Sequence, residues 1–143
     1  MRNKTYRQKA FTLIELLLVM VILVVLAAVV VPRFGSRQEQ AKITRAKVDI
    51  STIKTQIKMF DSDVGRLPTN EEGLGALLAQ PSGADNWHGP YIEGGPGALI
   101  DPWKMPYVYK YPASHAGVDF DLYSTGADTR DGGGDDIANW DAQ

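Results

Sequence analysis

The stretch FTLIELLLVMVILVVLAAVVV, residues 11–31, decides the fold because it predicts a long apolar helix near the start of the chain. It contains 21 residues and a single charged side chain, Glu15. As a helix it would measure about 31 Å, enough to cross the hydrocarbon core of a bilayer. We therefore predict a transmembrane helix carrying a carboxylate whose transfer into lipid costs about 2.5–3.5 kcal/mol.

The charges around this segment predict its orientation. Residues 1–10 contain four basic side chains and no acid, which places the N-terminus in the cytoplasm by the positive-inside rule. A secretory signal would have a shorter apolar region and a small-residue cleavage site after it, whereas here Pro32 follows directly. The rest of the chain has 11 basic against 17 acidic side chains, which argues against nucleic-acid binding.

The helical pattern continues beyond the apolar run. Apolar residues recur at intervals of three and four, which defines one face of a helix: Ile43, Ala46, Ile50, Ile53, Ile57 and Phe60. We predict one helix from about Thr12 to about Phe60, with residues 32–60 packed on a globular domain. Fewer than three heptads favour a core face over a coiled-coil seam. Pro32, followed by Gly35, predicts a kink.

Residues 61–143 predict a small α+β domain. Residues 61–68 are typical of a turn-rich linker, and Thr69 with Glu72 forms a capping box before a short helix over residues 71–80. Two β-prone runs, 106–111 and 118–125, predict a small antiparallel sheet. Alternation in the second run predicts a strand with one solvated face, on which Asp119, Asp121 and Tyr123 would lie.

The loop STGADTRDGGGDDIANW, residues 124–140, concentrates acidic side chains. Asp128, Asp131, Asp135 and Asp136 lie within nine residues, and the loop contains four glycines. Oxygen ligands without Cys or His favour a hard cation, Ca²⁺ over Mg²⁺ in an irregular loop. The spacing does not fit an EF-hand, and from the residues alone a solvated acidic turn is an equally good interpretation.

The sequence offers little support for an enzyme. The two histidines, His88 and His115, lie in Gly/Pro-rich segments without an adjacent nucleophile, and we interpret them as loop residues. Zinc-ligand spacing and phosphate-binding glycine motifs are absent, and the chain has no cysteine for a disulfide. Trp87, Trp103 and Tyr107 are interpreted as packing and turn residues.

The motif KAFTLIELLLVMVILVVLAAVVVPRF, residues 9–34, resembles the N-terminus of type IV pilins and type II secretion pseudopilins. The resemblance implies that a prepilin peptidase cuts between Ala10 and Phe11, where the family usually has Gly before the cut. Phe11 would then be N-methylated. Glu15 would neutralise the free amine of a neighbouring subunit during assembly, which gives a buried carboxylate the partner it requires.

Further motifs narrow the resemblance: GRLPTNEEGLGALL, WHGPYI, DPWKMPYVYKYP, FDLYSTGAD and DDIANW, in this order. They are similar to the major pseudopilins of type II secretion, the general secretion pathway G proteins. This resemblance implies a structural calcium held by the side chains of Asp128, Asp135 and Asp136. The carbonyls of Thr125 and Arg130 would complete the ligand set, and Asp131 would lie outside it.

The implied function is that of a structural, non-enzymatic subunit. Anchored in the inner membrane with a periplasmic C-terminal domain, it would polymerise into a pseudopilus that drives folded proteins across the outer membrane. Its implied partners are further copies of itself, minor pseudopilins, the inner-membrane platform, the secretion ATPase and the prepilin peptidase. The alternative is a type IV pilin subunit for adhesion, motility or DNA uptake, which the missing cysteines and the acidic loop disfavour.

Overall fold

The structure is a computed structural model that describes the backbone of residues 11–141 and the side chains of residues 11–27 and 36–141. It divides into two compact units, Met1–Glu39 and Gln40–Gln143. One helix, α1, spans Leu13–Val64 and contributes to both units. The predicted leader, residues 1–10, lies outside the described residues and includes Ala10.

In the first unit, the apolar side chains of α1 from Leu13 to Leu26 are exposed. Within the described residues, the structure contains no helix that is both long and apolar enough to cross a membrane. Residues 28–31, which end the predicted 21-residue span, lie outside the described side chains. The backbone is helical through Pro32, but its side chain is likewise undescribed, so the kink stays a prediction.

In the second unit, α1 supplies one wall of the hydrophobic core. The buried residues on this wall are those of the predicted face: Ala46, Ile50, Ile53, Ile57 and Phe60, with Ile43 partly buried. The predicted apolar face from Ile43 to Phe60 is therefore confirmed. The helix ends at Val64, four residues later than predicted, where Gly65 adopts a left-handed conformation (φ 79°) and donates its N–H to the Asp61 carbonyl.

The predicted capping box is present, but the helix behind it is shorter. The Thr69 N–H donates to Glu72 Oε2 (2.9 Å), and the Glu72 N–H donates to Thr69 Oγ1 (3.3 Å). The chain then forms a 3₁₀ helix over Gly73–Leu77 instead of an α-helix over residues 71–80. Gly73 is the first residue of this 3₁₀ helix, and its positive φ of 53° is incompatible with right-handed α geometry. A second 3₁₀ helix, Gly95–Leu99, was not predicted.

Three short strands form an antiparallel sheet in the order β1–β2–β3. They are β1 (Val108–Lys110), β2 (Asp121–Ser124) and β3 (Ile137–Ala138). The first two lie in the predicted β-prone runs. With two residues, β3 is too short to show a period of two in the sequence, and it was missed.

Asn139 extends the pairing beyond β3. Its backbone N–H donates to the Leu122 carbonyl (2.9 Å). Its side-chain oxygen accepts from the Leu122 N–H (3.0 Å), and its amide nitrogen donates to the Phe120 carbonyl (2.9 Å). The side-chain amide therefore takes the place that a further peptide unit of a strand would occupy.

The predicted solvated face is wrong for the two residues that lie in β2, whereas Asp119, which precedes the strand, is exposed. Leu122 faces the core as expected, but Asp121 and Tyr123 are also buried, with 1% and 2% of their surface exposed. The Asp121 carboxylate accepts hydrogen bonds from the backbone N–H groups of Ser114 and His115. Trp140 packs edge-on against the Tyr123 ring. Ser114, His115 and Trp140 come from segments outside the strand, and local alternation does not report their contacts.

The aromatic residues pack as predicted. Tyr107 is buried in the core, and Trp87 and Trp103 lie partly buried against it. The Trp87 Nε1–H donates to the Ala76 carbonyl (2.9 Å), and the Tyr107 hydroxyl donates to Asp49 Oδ2 (3.0 Å). Burial of the ring with its polar group bonded is the usual structural role of Trp and Tyr.

The ion pair between Glu72 and Arg66 predicts a domain that loses stability in acid. Arg66 donates to both carboxylate oxygens at 2.7 Å, and this bidentate bond lowers the Glu72 pKa from 4.5 to about 2. Since the folded-state pKa is depressed, the stabilisation is complete above pH 4.5 and is lost as the pH falls toward 2. Glu72→Gln should lower the melting temperature at pH 7 and flatten its decline between pH 4.5 and 2.

The measurement is thermal melting of the full chain, followed by circular dichroism across this pH range. The matched control is Glu71→Gln, which changes the exposed neighbouring carboxylate. An acid dependence in Glu72→Gln as steep as that of the wild type would contradict the assignment.

Candidate functional site

The start of α1 contains a capping box that the sequence analysis overlooked. The Thr12 N–H donates to Glu15 Oε2 (3.0 Å), and the Thr12 hydroxyl donates to the same oxygen (3.1 Å). In return, the Glu15 N–H approaches Thr12 Oγ1 at 3.4 Å. The signal was present as Thr-x-x-Glu, the same pattern that identified Thr69 and Glu72.

This arrangement gives Glu15 a role within its own helix. The first N–H groups of a helix have no intrahelical acceptor, and the carboxylate supplies one while lying at the positive end of the helix dipole. Both bonds from Thr12 go to Oε2, and a carboxylate has about four lone-pair sites. The cap therefore leaves acceptor capacity for a cationic partner.

In the second unit, β2 and β3 close the acidic loop at its base. Ser124 pairs with Ile137, so residues 125–136 leave and re-enter the sheet at adjacent positions. Inside the loop, the carboxylates bind the loop's own backbone. Asp135 Oδ2 accepts from the N–H groups of Ala127 (2.7 Å) and Asp128 (3.0 Å), and Asp136 Oδ2 accepts from the Gly132 N–H (2.9 Å).

Asp135 and Gly126 show how closely the two ends of this loop approach each other. Hydrogen bonds from the backbone N–H groups of Asp128 and Ala127 hold the pKa of Asp135 below its ordinary value. Gly126 has a φ of 66°, and a Cβ at this position would collide with the Asp135 carbonyl oxygen. Glycine is therefore required where the two ends of the loop meet.

The loop also contains buried acceptors that lack a partner. Asp136 Oδ1 and Thr125 Oγ1 are both shielded from solvent without a hydrogen bond. Such oxygens are costly unless a donor or a cation satisfies them, so the donor set fits a hard cation. Among the residues that the structure describes, however, no three acidic, His or Cys side chains converge as a ready metal centre.

The predicted ligands are thus brought into one loop without forming a side-chain cage. Asp128 Oδ1 accepts from the Arg130 N–H (2.8 Å), and the Arg130 carbonyl accepts from the Gly133 N–H (3.2 Å). Asp131 is engaged elsewhere, because its two oxygens bind Lys110 and Tyr123.

The histidines occupy loops, but His115 has contacts that the sequence did not indicate. Its ring stacks on Trp140 with 3.7 Å between centroids, and Nδ1 lies 3.1 Å from Asp121 Oδ1. Ser114 Oγ donates to Asp121 Oδ2 and lies 3.4 Å from the same His115 nitrogen. In a catalytic triad the nucleophile and the acid bind opposite nitrogens, so this cluster is structural.

A long helix with an apolar first half, followed by a small α+β domain ending in an acidic loop, defines a pilin-like subunit. Residues 5–31 match the family model for the prokaryotic N-terminal methylation motif, and residues 33–140 match that for type II secretion system protein G. The chain belongs to the type II secretion system protein G family.

Individual relatives agree with this assignment. The type II secretion system core protein G of Pseudomonas aeruginosa is 44% identical, covering 94% of this chain and 96% of the relative. That of Aeromonas hydrophila is 38% identical, with 94% and 93% covered. The crystal structure of the major pseudopilin of enterohaemorrhagic Escherichia coli matches with a TM-score of 0.65 at 29% identity, covering 76% of this chain and 92% of that one.

Membership of this family decides two questions that the sequence raised. Its members are structural pseudopilin subunits, so the expectation that the chain is not an enzyme is confirmed. The match over most of the chain also favours the pseudopilin interpretation over the type IV pilin alternative.

Proposed function

We propose that this chain is the major structural subunit of the periplasmic pseudopilus of a type II secretion system. It polymerises through its N-terminal helix, and growth of the fibre drives folded proteins across the outer membrane. The observation that carries the proposal is the combination of the methylation motif at residues 5–31 with the protein G match over residues 33–140.

Before assembly, the subunit is anchored in the inner membrane by residues 11–31, with its C-terminal domain in the periplasm. The exposed apolar side chains between Leu13 and Leu26 support this placement. A contiguous apolar surface of this kind requires lipid or other subunits to cover it. In the fibre, the same side chains pack against the helices of neighbouring copies.

Processing and assembly involve the start of α1. A prepilin peptidase cuts between Ala10 and Phe11, Phe11 is N-methylated, and the new amine becomes the partner of Glu15 on a neighbouring subunit. The capping geometry supports this role, because Glu15 Oε2 lies 3.0 Å from the N–H of the peptide unit that follows Phe11. The carboxylate is thus held at the end of the helix where the amine is created.

Calcium stabilises the acidic loop of the domain. The side chains of Asp128, Asp135 and Asp136, with the carbonyls of Thr125 and Arg130, would hold the ion. A bound Ca²⁺ neutralises the clustered carboxylates and cross-links the loop, a role that a disulfide could fill in a chain with cysteines. The unpartnered Asp136 Oδ1 supports the proposal.

The remaining partners follow from the secretion system. Minor pseudopilins, the inner-membrane platform and the secretion ATPase assemble and extend the fibre from the cytoplasmic side. The chain itself contributes no catalytic step, and its mechanical role depends on reversible packing of its helix.

Processing is tested by intact-mass spectrometry of the protein extracted from membranes. We expect loss of residues 1–10 and addition of one methyl group on Phe11. The control is the same protein expressed without a prepilin peptidase, which should keep its full length. An unprocessed N-terminus in the native host would contradict the proposed class.

The role of Glu15 is tested with two variants. Glu15→Ala removes both the cap and the charge, whereas Glu15→Gln keeps a capping acceptor and removes only the charge. We expect both variants to enter the membrane normally and to reduce fibre yield, measured by shearing and immunoblotting. Normal yield from Glu15→Gln would show that the cap, and not pairing with an amine, is what assembly requires.

The calcium site is tested by melting the full chain in detergent with calcium and with a chelator. Saturation at about 100 times Kd would stabilise the domain by about 2.7 kcal/mol, so chelation should lower the melting temperature. Asp128→Ala should abolish the calcium response, whereas Asp85→Ala, an exposed acid outside the loop, should retain it. A melting curve unaffected by chelator would contradict the site.

A further inference from the structure

Asp131 connects the middle of the acidic loop to the sheet. Its Oδ2 lies 3.2 Å from Lys110 Nζ, and its Oδ1 accepts a hydrogen bond from the Tyr123 hydroxyl at 2.8 Å. The Lys110 Nζ also lies 5.1 Å from the centre of the Tyr123 ring, within the range of a cation–π contact. Both oxygens of Asp131 are therefore bound to groups outside the loop.

The sheet register explains why these two partners lie together. Lys110 pairs with Asp121 across the β1–β2 ladder, and Tyr123 is two residues further along β2. Diagonal neighbours of this kind lie on the same face of a sheet. Tyr123 is 2% exposed and its ring packs edge-on against Trp140, so its hydroxyl is held in place by buried contacts.

We propose that Asp131, Lys110 and Tyr123 form a positioning latch that restrains the middle of the loop 125–136 before calcium arrives. The inference deepens the proposed function and rests on its calcium site. Asp131 is a positioning residue, and the ligands remain Asp128, Asp135 and Asp136.

The physical reason lies in the length of the loop. Its ends are fixed where Ser124 pairs with Ile137, and the latch fixes a point near its middle. Shorter free segments have fewer conformations to lose, so the ion spends less of its binding free energy on ordering the chain. Lys110 also offsets the charge of Asp131, which would otherwise add to the repulsion among the ligand carboxylates.

The latch explains why this loop contains an acid that is not needed as a ligand. An Asp131 that coordinated calcium would have to release both the Tyr123 hydroxyl and the Lys110 ammonium. The geometry instead uses that carboxylate to orient the backbone on either side of it, which includes the carbonyl of Arg130.

The test uses the full chain in detergent, stripped of metal, with the variants Tyr123→Phe and Asp131→Asn. Tyr123→Phe removes one hydroxyl and keeps the ring, so folding is preserved and can be checked by circular dichroism. Loss of one hydrogen bond should weaken calcium binding by about fivefold in titration calorimetry. In the metal-free protein, hydrogen exchange of the backbone amides in residues 127–134 should become faster.

The control is Lys58→Ala, which breaks an exposed ion pair with Asp119 elsewhere in the domain. It should change neither calcium affinity nor exchange in the loop. Affinities of both latch variants within twofold of the wild type, with unchanged metal-free exchange, would overturn the proposal. Complete loss of binding in Asp131→Asn with unchanged exchange would also overturn it, because Asp131 would then be a ligand.

The calcium site and the latch are tested by separate outcomes. If the wild type binds no calcium, the calcium part of the proposed function is wrong. In that case faster metal-free exchange in Tyr123→Phe would still support a latch that shapes the loop, and unchanged exchange would overturn the latch as well.

Discussion

The fold of the second unit depends on burying one face of α1. Residues from Ala46 to Phe60 form a continuous apolar wall, against which the first 3₁₀ helix, the aromatic side chains and the sheet pack. Without this wall, three strands of two to four residues would not form a stable sheet, since small sheets need a packed apolar face. The rest of the domain is arranged around this contact.

The same helix carries an exposed apolar segment in its first unit and a buried apolar stripe in its second. The exposed segment runs from Leu13 to Leu26, and its apolar side chains can be covered by a second molecule or by lipid. The apolar stripe in the second unit is buried against the rest of the domain. A single element thus combines an apolar surface that the chain leaves exposed with one that the chain buries itself.

Sequence reasoning succeeded where a period or a local motif specified the structure. The stripe that includes Ile50 and Ile57, the Thr69–Glu72 capping box and the two longer strands were predicted because each signal lies within a few residues. It failed for Asp121 and Tyr123, whose burial depends on Ser114, His115 and Trp140 from other segments. The two-residue strand β3 and the engagement of Asp131 by Lys110 also depend on distant pairing. The capping box at Thr12 was missed although its pattern was visible.

The hydrogen bonds of the Asn139 side chain bear on the cellular compartment in which the domain can fold. Its amide fastens the C-terminal segment to β2 with neutral hydrogen bonds to Leu122 and Phe120. An amide side chain neither titrates in the biological pH range nor undergoes thiol oxidation. The attachment therefore forms equally well in a reducing and in an oxidising compartment. The end of the chain can close without waiting for an oxidant or a disulfide isomerase.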